Sequence, residues 1–413
     1  MRKLKACFLL LLLSLFLAGC WNRTELNELG ITVATGFDRE NGKWSMSYQM
    51  VVPSAMGTGQ GGSGGSGGGG RPSVHVFTTE GTSIREAADM GYVENPRRLY
   101  FAHTDILIIG REAAEYGINQ ILGLYFRNND ARETVLVALT DGKARDILLK
   151  LVPAEKMPGP ALADIIQKES TFSSIFPKIR VYELAQKILS DAGGAGVPAI
   201  QFSGKDDHGM ESMETEKTIS SSSKLKLTKL GVFRRNQFIG WMNREESFGI
   251  SWLSNQVKGS TLAFGCPETD NKSRQSAFRV TNAKTTVKPV KSGEHFKMKI
   301  KVRVKGDLLE FQCKGDLTKP EEIRKIEKTL EEEIQSIIQS GWKAAQKMRV
   351  DLPGFADKVH RKYPKAWKEK KASWEEELAS IELDLDIKVS VQRPGLTNKS
   401  FDQLQKETVE QDS

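Results

Sequence analysis

The thiol of Cys20 is the group in this sequence best placed for covalent chemistry. It follows Leu17-Ala18-Gly19 at the end of an apolar run from Phe8 to Leu17, and Arg2, Lys3 and Lys5 precede that run. A basic start, a short apolar core and small residues before a break point describe a secretory leader, and the run is too short to span a bilayer. A cysteine at that break is similar to a bacterial lipobox, in which the thiol takes a diacylglycerol thioether and the leader is cut before it. The new amino group is then acylated. Cys20 is the expected lipidation site on these grounds, as an S-diacylglycerol and N-acyl cysteine. An ordinary leader with a chance cysteine, or an N-terminal membrane anchor, are the competing descriptions. Two or three acyl chains, at about 0.8 kcal/mol per buried methylene, make release negligible, whereas one chain holds only marginally. Trp21 either rests at the headgroup level, where indole is favoured, or packs on the first domain.

Elsewhere the reactive residue types are dispersed. His75, His103, His208, His295 and His360 stand apart from one another and from cysteines or carboxylates at metal-ligand spacing. The best polar cluster, His103-Thr104-Asp105, sits at the entry to an apolar strand. A histidine bonded to backbone is the simpler reading there, because no serine or cysteine partner is suggested nearby. Gly61-Gly62-Ser63-Gly64-Gly65 satisfies the nucleophile-elbow pattern, and residues 57–62 satisfy the dinucleotide-loop pattern. Both matches come from low complexity: a working elbow or phosphate loop lies between a buried strand and a helix, whereas more glycine and then Arg71-Pro72 follow here. No catalytic residue, metal ligand or cofactor is expected. Cys7 leaves with the leader and Cys20 takes lipid, so Cys266 and Cys313 remain. They can pair in an oxidising compartment or stay as separate thiols, and their spacing does not decide between these.

The elements around these residues divide the chain. The formal charge is +8, and three of those positives lie in the leader, leaving +5 from Cys20 onward. That mild, diffuse bias suits a body beside anionic headgroups and does not make a nucleic-acid footprint. No later stretch approaches the roughly 18 apolar residues of a spanning helix. Trp44, Met46, Tyr48, Met50 and Val52 alternate with polar residues before the glycine-rich stretch at 57–70, and Val74 and Val76 do so after it. Two strands joined by a long flexible loop follow from that pattern. Ser83 and Glu86 make a capping box for a helix through Ala87 and Ala88. Next come a strand at 104–109, a helix from Arg111 to about Leu122, a strand at 134–139 and a helix beginning near Asp141. The unbroken apolar run Ile106-Leu107-Ile108-Ile109 reads as a strand covered on both faces. A polar segment at 204–224 separates an N-terminal unit, 20–203, from a C-terminal unit, 225–395. A subdivision near 265–275 is left open, and residues 396–413 form a polar tail.

The C-terminal unit has the clearest periodicity. Phe296, Met298, Ile300, Val302 and Val304 alternate with five cations, Lys297, Lys299, Lys301, Arg303 and Lys305. Ile381, Leu383, Leu385, Ile387, Val389 and Val391 alternate with Glu382, Asp384, Asp386 and Lys388. Opposed charges on two half-buried strands predict neighbours in one sheet, with two merely solvated faces as the alternative. Between them a helix of about 30 residues to Val350 is predicted from Ile323, Ile326, Leu330, Ile334, Ile337 and Ala345, with Thr318 and Glu321 as a capping box and Pro320 in the first turn. Its single apolar face suits packing across the sheet better than a coiled coil. The expected class is α+β: successive small domains, mixed sheets with packed helices, and one long amphipathic helix.

Taken in order, several segments resemble one family. These are Cys20-Trp21, Glu25-Leu26, Gly36-Phe37-Asp38, Asn95-Pro96-Arg97-Arg98-Leu99-Tyr100-Phe101-Ala102-His103, Ala144-Arg145-Asp146-Ile147-Leu148, Leu230-Gly231-Val232-Phe233, Tyr363-Pro364 with Trp367 and Trp374, and Val389 to Gly395. The chain is similar to the spore germination lipoproteins, the C subunits of nutrient germinant receptors, of the Ger(x)C type. The resemblance implies a non-enzymatic subunit held by lipid on the outer face of the spore inner membrane. It also implies assembly there with two multi-spanning partners, the A and B membrane subunits, and α+β architecture. The glycine insertion at 57–70 is longer than that family leads one to expect, and Ala102 stands where glycine is common. A lipid-anchored solute-binding protein that captures a small nutrient itself is the alternative. It would show two α/β lobes around a cleft, and direct ligand binding therefore stays open. A lipid-anchored peptidoglycan hydrolase would need a metal or carboxylate site that the sequence does not suggest.

Overall fold

Two neighbouring sheets, one of nine strands and one of four, organise the chain in the computed structural model. It describes residues 28–52, 73–152, 155, 157–203, 224–266, 276–313, 316–393 and 405. The first strands are β1 (Leu29–Glu40) and β2 (Lys43–Val51), an antiparallel pair. They turn through Asn41 and Gly42, whose φ of 50° and 79° match the two left-handed positions of a tight hairpin. Strand β3 (Val74–Gly81) returns antiparallel to β2, as the alternation on both sides of the glycine stretch predicts, and residues 57–70 lie outside the described residues.

Helix α1 (Ile84–Glu94) starts at Ser83, whose hydroxyl accepts the N–H of Glu86 at 3.1 Å. The reciprocal half of the expected box is altered: the Glu86 carboxylate takes the N–H of Thr82, at 2.7 Å, instead of that of Ser83. Then follow β4 (Arg98–Tyr100), β5 (Ile106–Ile109), α2 (Arg111–Tyr116), α3 (Asn119–Arg127), β6 (Leu136–Leu139), α4 (Ala144–Leu148), α5 (Pro158–Phe172), α6 (Val181–Leu189) and β7 (Gly194–Ser203). The single helix expected from Arg111 to Leu122 is broken. Gly117 adopts φ +124°, and the next N–H, of Ile118, leaves the helix to bond the carbonyl of Asn236.

Every residue of β5 is buried, because the sheet is covered on both sides. Leu107 and Ile109 face a core with Ile84, Ile121 and Leu184 from α1, α3 and α6. Ile106 and Ile108 face the opposite core, with Ile147 of α4 and Leu162 and Ile166 of α5. The sheet continues past β7 into β8 (Lys224–Arg234) and β9 (Gln237–Met242), in the order β3-β2-β1-β5-β6-β7-β8-β9, with β4 beside β1. Residues 204–223 lie outside the described residues, and the strands flanking them are antiparallel neighbours in register from Ser203 opposite Lys224. The polar segment at 204–224 therefore joins two strands of one sheet.

Helix α7 (Arg244–Leu253) leads to β10 (Ser260–Phe264), β11 (Ser276–Ser292) and β12 (His295–Glu310). Helix α8 (Pro320–Met348), α9 (Phe355–Lys362), α10 (Pro364–Lys370) and α11 (Trp374–Ser380) precede β13 (Glu382–Arg393). The four-stranded order is β10-β11-β12-β13, with β13 parallel to β12, so the two alternating segments are neighbours. Their inward residues, Met298, Ile300, Val302, Ile387 and Val389, share one core with Ile326, Leu330, Ile334 and Trp342 of the 29-residue α8. The expected Thr318–Glu321 box is not formed. Lys319 is the cap residue without a side-chain bond, and the Thr318 hydroxyl donates to Asp316 at 2.6 Å.

The two sheets are joined by more than the chain. Leu230 and Val232 of β8 belong to the second core, whereas Phe233 of the same strand belongs to the first. Helices α7 and α8 cross so closely that a Cβ on Gly341 would lie 2.6 Å from the carbonyl oxygen of Glu246. Cys266 and Cys313 form a disulfide, which settles the pairing that their spacing left open.

Candidate functional site

Cys20, Trp21 and the expected leader at 1–19 lie outside the described residues, so the geometry of the expected lipidation site is not on view. The His103-Thr104-Asp105 cluster is. Thr104 is buried, with its N–H on the carbonyl of Phe101 and its hydroxyl on that of Thr32, while the Asp105 N–H bonds Val33. The His103 ring lies 5.8 Å from that of Tyr100. Backbone bonds and a ring contact make this cluster a strand entry. Partial burial raises the Asp105 carboxyl above its ordinary range, partly countered by His103 and Arg132.

Two other histidines gain carboxylate partners that no local spacing could reveal, since the pairs are 82 and 169 residues apart. His295 Nδ1 lies 3.1 Å from Glu377 and 3.3 Å from the hydroxyl of Ser380. Hydroxyl, imidazole and carboxylate look like a hydrolytic triad, yet both oxygens address the same ring nitrogen. A relay needs the acid on one nitrogen and the nucleophile on the other. Glu377 instead accepts the N–H of Phe296 at 2.9 Å and pairs with Lys370 at 3.2 Å, which ties α11 to the start of β12. His360 bonds Asp191 and stacks on Trp367, joining α9 to the end of α6. Among the described residues no group of three or more His, Cys, Asp or Glu could hold a metal ion.

The buried carboxylates serve as anchors for backbone. Asp38 accepts the N–H groups of Ala144 and Arg145 at 2.7 and 3.0 Å, capping α4 from β1. A Cβ at Gly110 would meet its oxygen at 2.0 Å, so only glycine fits beside it. Asp351 accepts from Phe355, Ala356 and the indole of Trp374 at 2.8, 2.6 and 3.2 Å. Glu169 accepts from Ile175 and Phe176 at 2.7 and 3.1 Å. Burial pushes all three carboxyls up, against the opposing pull of these N–H donors.

A cavity of about 330 Å³ lies at the seam between the sheets, bordered by Asp191, Arg234, Arg235, Arg349, Lys371 and Glu375. Its charges are largely engaged within the protein: Arg234 donates to the carbonyl of Met348 at 2.7 Å and Arg235 to that of Ser190 at 2.9 Å. A second cavity, about 510 Å³, sits between α7, β10 and α8, with Ile175, Phe248 and Ile337 below and Arg244 and Glu333 at its border. Neither brings a base to a nucleophile.

The outer face of the four-stranded sheet carries opposed rows of charge. In the β12–β13 register Lys297 stands opposite Glu382, Lys299 opposite Asp384, Lys301 opposite Asp386 and Arg303 opposite Lys388. Arg303 reaches diagonally to Asp386 at 2.7 Å and Lys297 to Glu382 at 3.5 Å. The Arg303 guanidinium holds the Asp386 carboxyl below its ordinary range. What this arrangement offers chemically is attachment: surfaces, anchored joints and a covalent clasp.

Comparison with known proteins gives matches along nearly the whole chain. The family model described as spore germination protein N-terminal domain matches residues 22–202, and the one described as spore germination B3/GerAC like, C-terminal matches residues 228–395. Spore germination protein KC of Bacillus subtilis (strain 168) is 29% identical over 403 residues, covering 96% of this chain and 97% of that protein. Spore germination protein B3 of the same organism is 22% identical, covering 93% and 96%. GerQC of Bacillus cereus is 21% identical, covering 95% and 100%. A crystal structure of the GerBC protein shares the fold, with a TM-score of 0.52 at 16% identity over 87% of this chain and 96% of that one.

Proposed function

We propose, because this chain belongs to the spore germination B3/GerAC-like family of germinant receptor C subunits, that it is the lipid-anchored, non-enzymatic subunit of one nutrient germinant receptor. The observation that carries the reading is the order of features: a Leu-Ala-Gly-Cys at 17–20, then the two germination domains in sequence along nearly all of the remaining chain. In this role Cys20 fastens the body to the outer face of the spore inner membrane. The two joined sheets then act as a scaffold on which the A and B membrane subunits assemble into a responsive receptor. Among the described residues no helix is long and apolar enough to cross a membrane, so a covalent anchor is the device that the reading assigns to this task. Direct capture of a nutrient is less favoured. The two halves are built differently, a doubly covered sheet and a sheet with one long helix, where a solute-binding protein has two like lobes.

Spores carrying Cys20→Ala test the proposal. The expected outcome is loss of the protein from the membrane fraction together with a weakened germination response to one nutrient class. Unchanged retention and response would discard it.

A further inference from the structure

We infer that the solvent face of the β10–β13 sheet is a docking surface for the anionic headgroups of a lipid bilayer. The inference uses the proposed function only in placing the body beside a membrane, and it does not require lipid on Cys20. Helix α8 and the second core cover the other side of this sheet, so its charged side is the free one. In the β11–β12 register Lys284 stands opposite Arg303, and Lys288 opposite Lys299. Like charges directly opposite each other across a strand pair are destabilising, so these placements work against the sheet itself. Violations of a local rule gather where a surface has another use.

The neighbouring acids neutralise the face only in part: Asp384 stands opposite Lys299 and Asp386 opposite Lys301, but cations outnumber acids on these strands. Glu382 and Asp386 pair with Lys297 and Arg303, and Lys388 turns to Glu331 of α8 at 3.7 Å. Lys284, Lys288, Lys299, Lys301 and Lys305 have no ion-pair partner among the described residues, and all five are exposed. Lysine presents a mobile, hydrated point charge suited to a diffuse field of phosphates, whereas a protein partner calls for a desolvated centre with aromatic or arginine anchors. Of the large exposed apolar side chains only Leu309, 61% exposed, belongs to this sheet. Its neighbour Leu308 is buried, so Leu309 points outward like the lysines and can enter the headgroup layer. With no exposed aromatic on these strands the face also lacks the stacking platform of a single-strand nucleic-acid binder.

The test uses the chain from residue 20 onward with Cys20→Ser, which removes the acyl anchor from the measurement. Co-sedimentation is measured with vesicles of phosphatidylcholine alone and of phosphatidylcholine mixed with phosphatidylglycerol, at low and high salt. Binding is expected only to the anionic vesicles, and salt should weaken it. The quadruple substitution K284Q/K288Q/K299Q/K301Q should lower the partition coefficient by about fivefold per lysine, several-hundredfold in all. A control of equal charge change on α8 and α10, K328Q/K343Q/K347Q/K365Q, should lose far less, and thermal melts of both confirm folding. Equal losses in the two variants, or no binding of the parent chain to anionic vesicles at low salt, overturn the inference. Lipidation elsewhere in the molecule cannot produce either result.

Discussion

The disulfide between Cys266 and Cys313 gives the sharpest prediction about what holds the second sheet together. It clasps the end of β10 to the segment after β12, closing a loop that contains the whole β11–β12 hairpin. The two residues are 47 apart. In the chain-entropy model a loop of that length removes about 14 cal/mol/K from the unfolded chain, or about 4 kcal/mol at 25 °C. Structure retained by the unfolded chain reduces the effect, so the expected range is about 2–4 kcal/mol. The perturbation is C266A/C313A, which avoids leaving one unpaired thiol. Equilibrium urea unfolding, followed by tryptophan emission, reports on this unit because Trp342, Trp367 and Trp374 lie in the second core. The variant should unfold at a clearly lower urea midpoint, and reductant should shift the parent chain towards the variant while leaving the variant unchanged. Coincident curves for parent and variant, with or without reductant, would refute the reasoning. Disulfides persist in oxidising surroundings outside the cytosol, which is where the proposed export would place this chain.

Asp351→Ala strands three buried donors, of Phe355, Ala356 and Trp374, and should cost about 3–5 kcal/mol in the same unfolding experiment; Asp351→Asn keeps an acceptor and should cost less. Because burial raises the Asp351 carboxyl above its ordinary 3.8, its favourable contribution is complete below that value and declines as pH rises through the higher folded value. The stability gap between parent and Asp351→Asn should accordingly narrow as pH rises across that window, and a gap that widens contradicts the assignment. At the crossing of α7 and α8, Gly341→Ala meets only backbone, at 2.6 and 2.7 Å, and should destabilise by about 1–3 kcal/mol. Gly123→Ala, in α3 with open space around its Cβ, should stabilise by about 0.4–1 kcal/mol, and thermal melts of the pair check the opposite signs.

Periodicity made much of the second sheet legible. Alternation is a local property, and opposed charge rows on 296–305 and 381–391 were enough to make β12 and β13 neighbours. The unbroken Ile106–Ile109 likewise announced a strand buried on both faces. Where distant groups decide, the local pattern misled. The helix predicted from Arg111 stops at Gly117 because the Ile118 N–H finds Asn236, which lies on the turn between β8 and β9. The Asn41-Gly42 hairpin was a readable turn signal that strand alternation alone passed over. Partners 82 and 169 residues away define the environments of His295 and His360, and no spacing rule connects them. At 204–224 the flanking strands β7 and β8 pair in one sheet, a long-range contact on which the polar composition of the intervening segment carries no information.

Intact-mass measurement on the protein extracted from spore membranes, followed by fragmentation of its first residues, addresses the anchored-subunit proposal most directly. The expected spectrum begins at Cys20, with diacylglycerol on sulfur and an acyl group on the amine. A bare Cys20 thiol, or a chain still carrying residues 1–19, would contradict it.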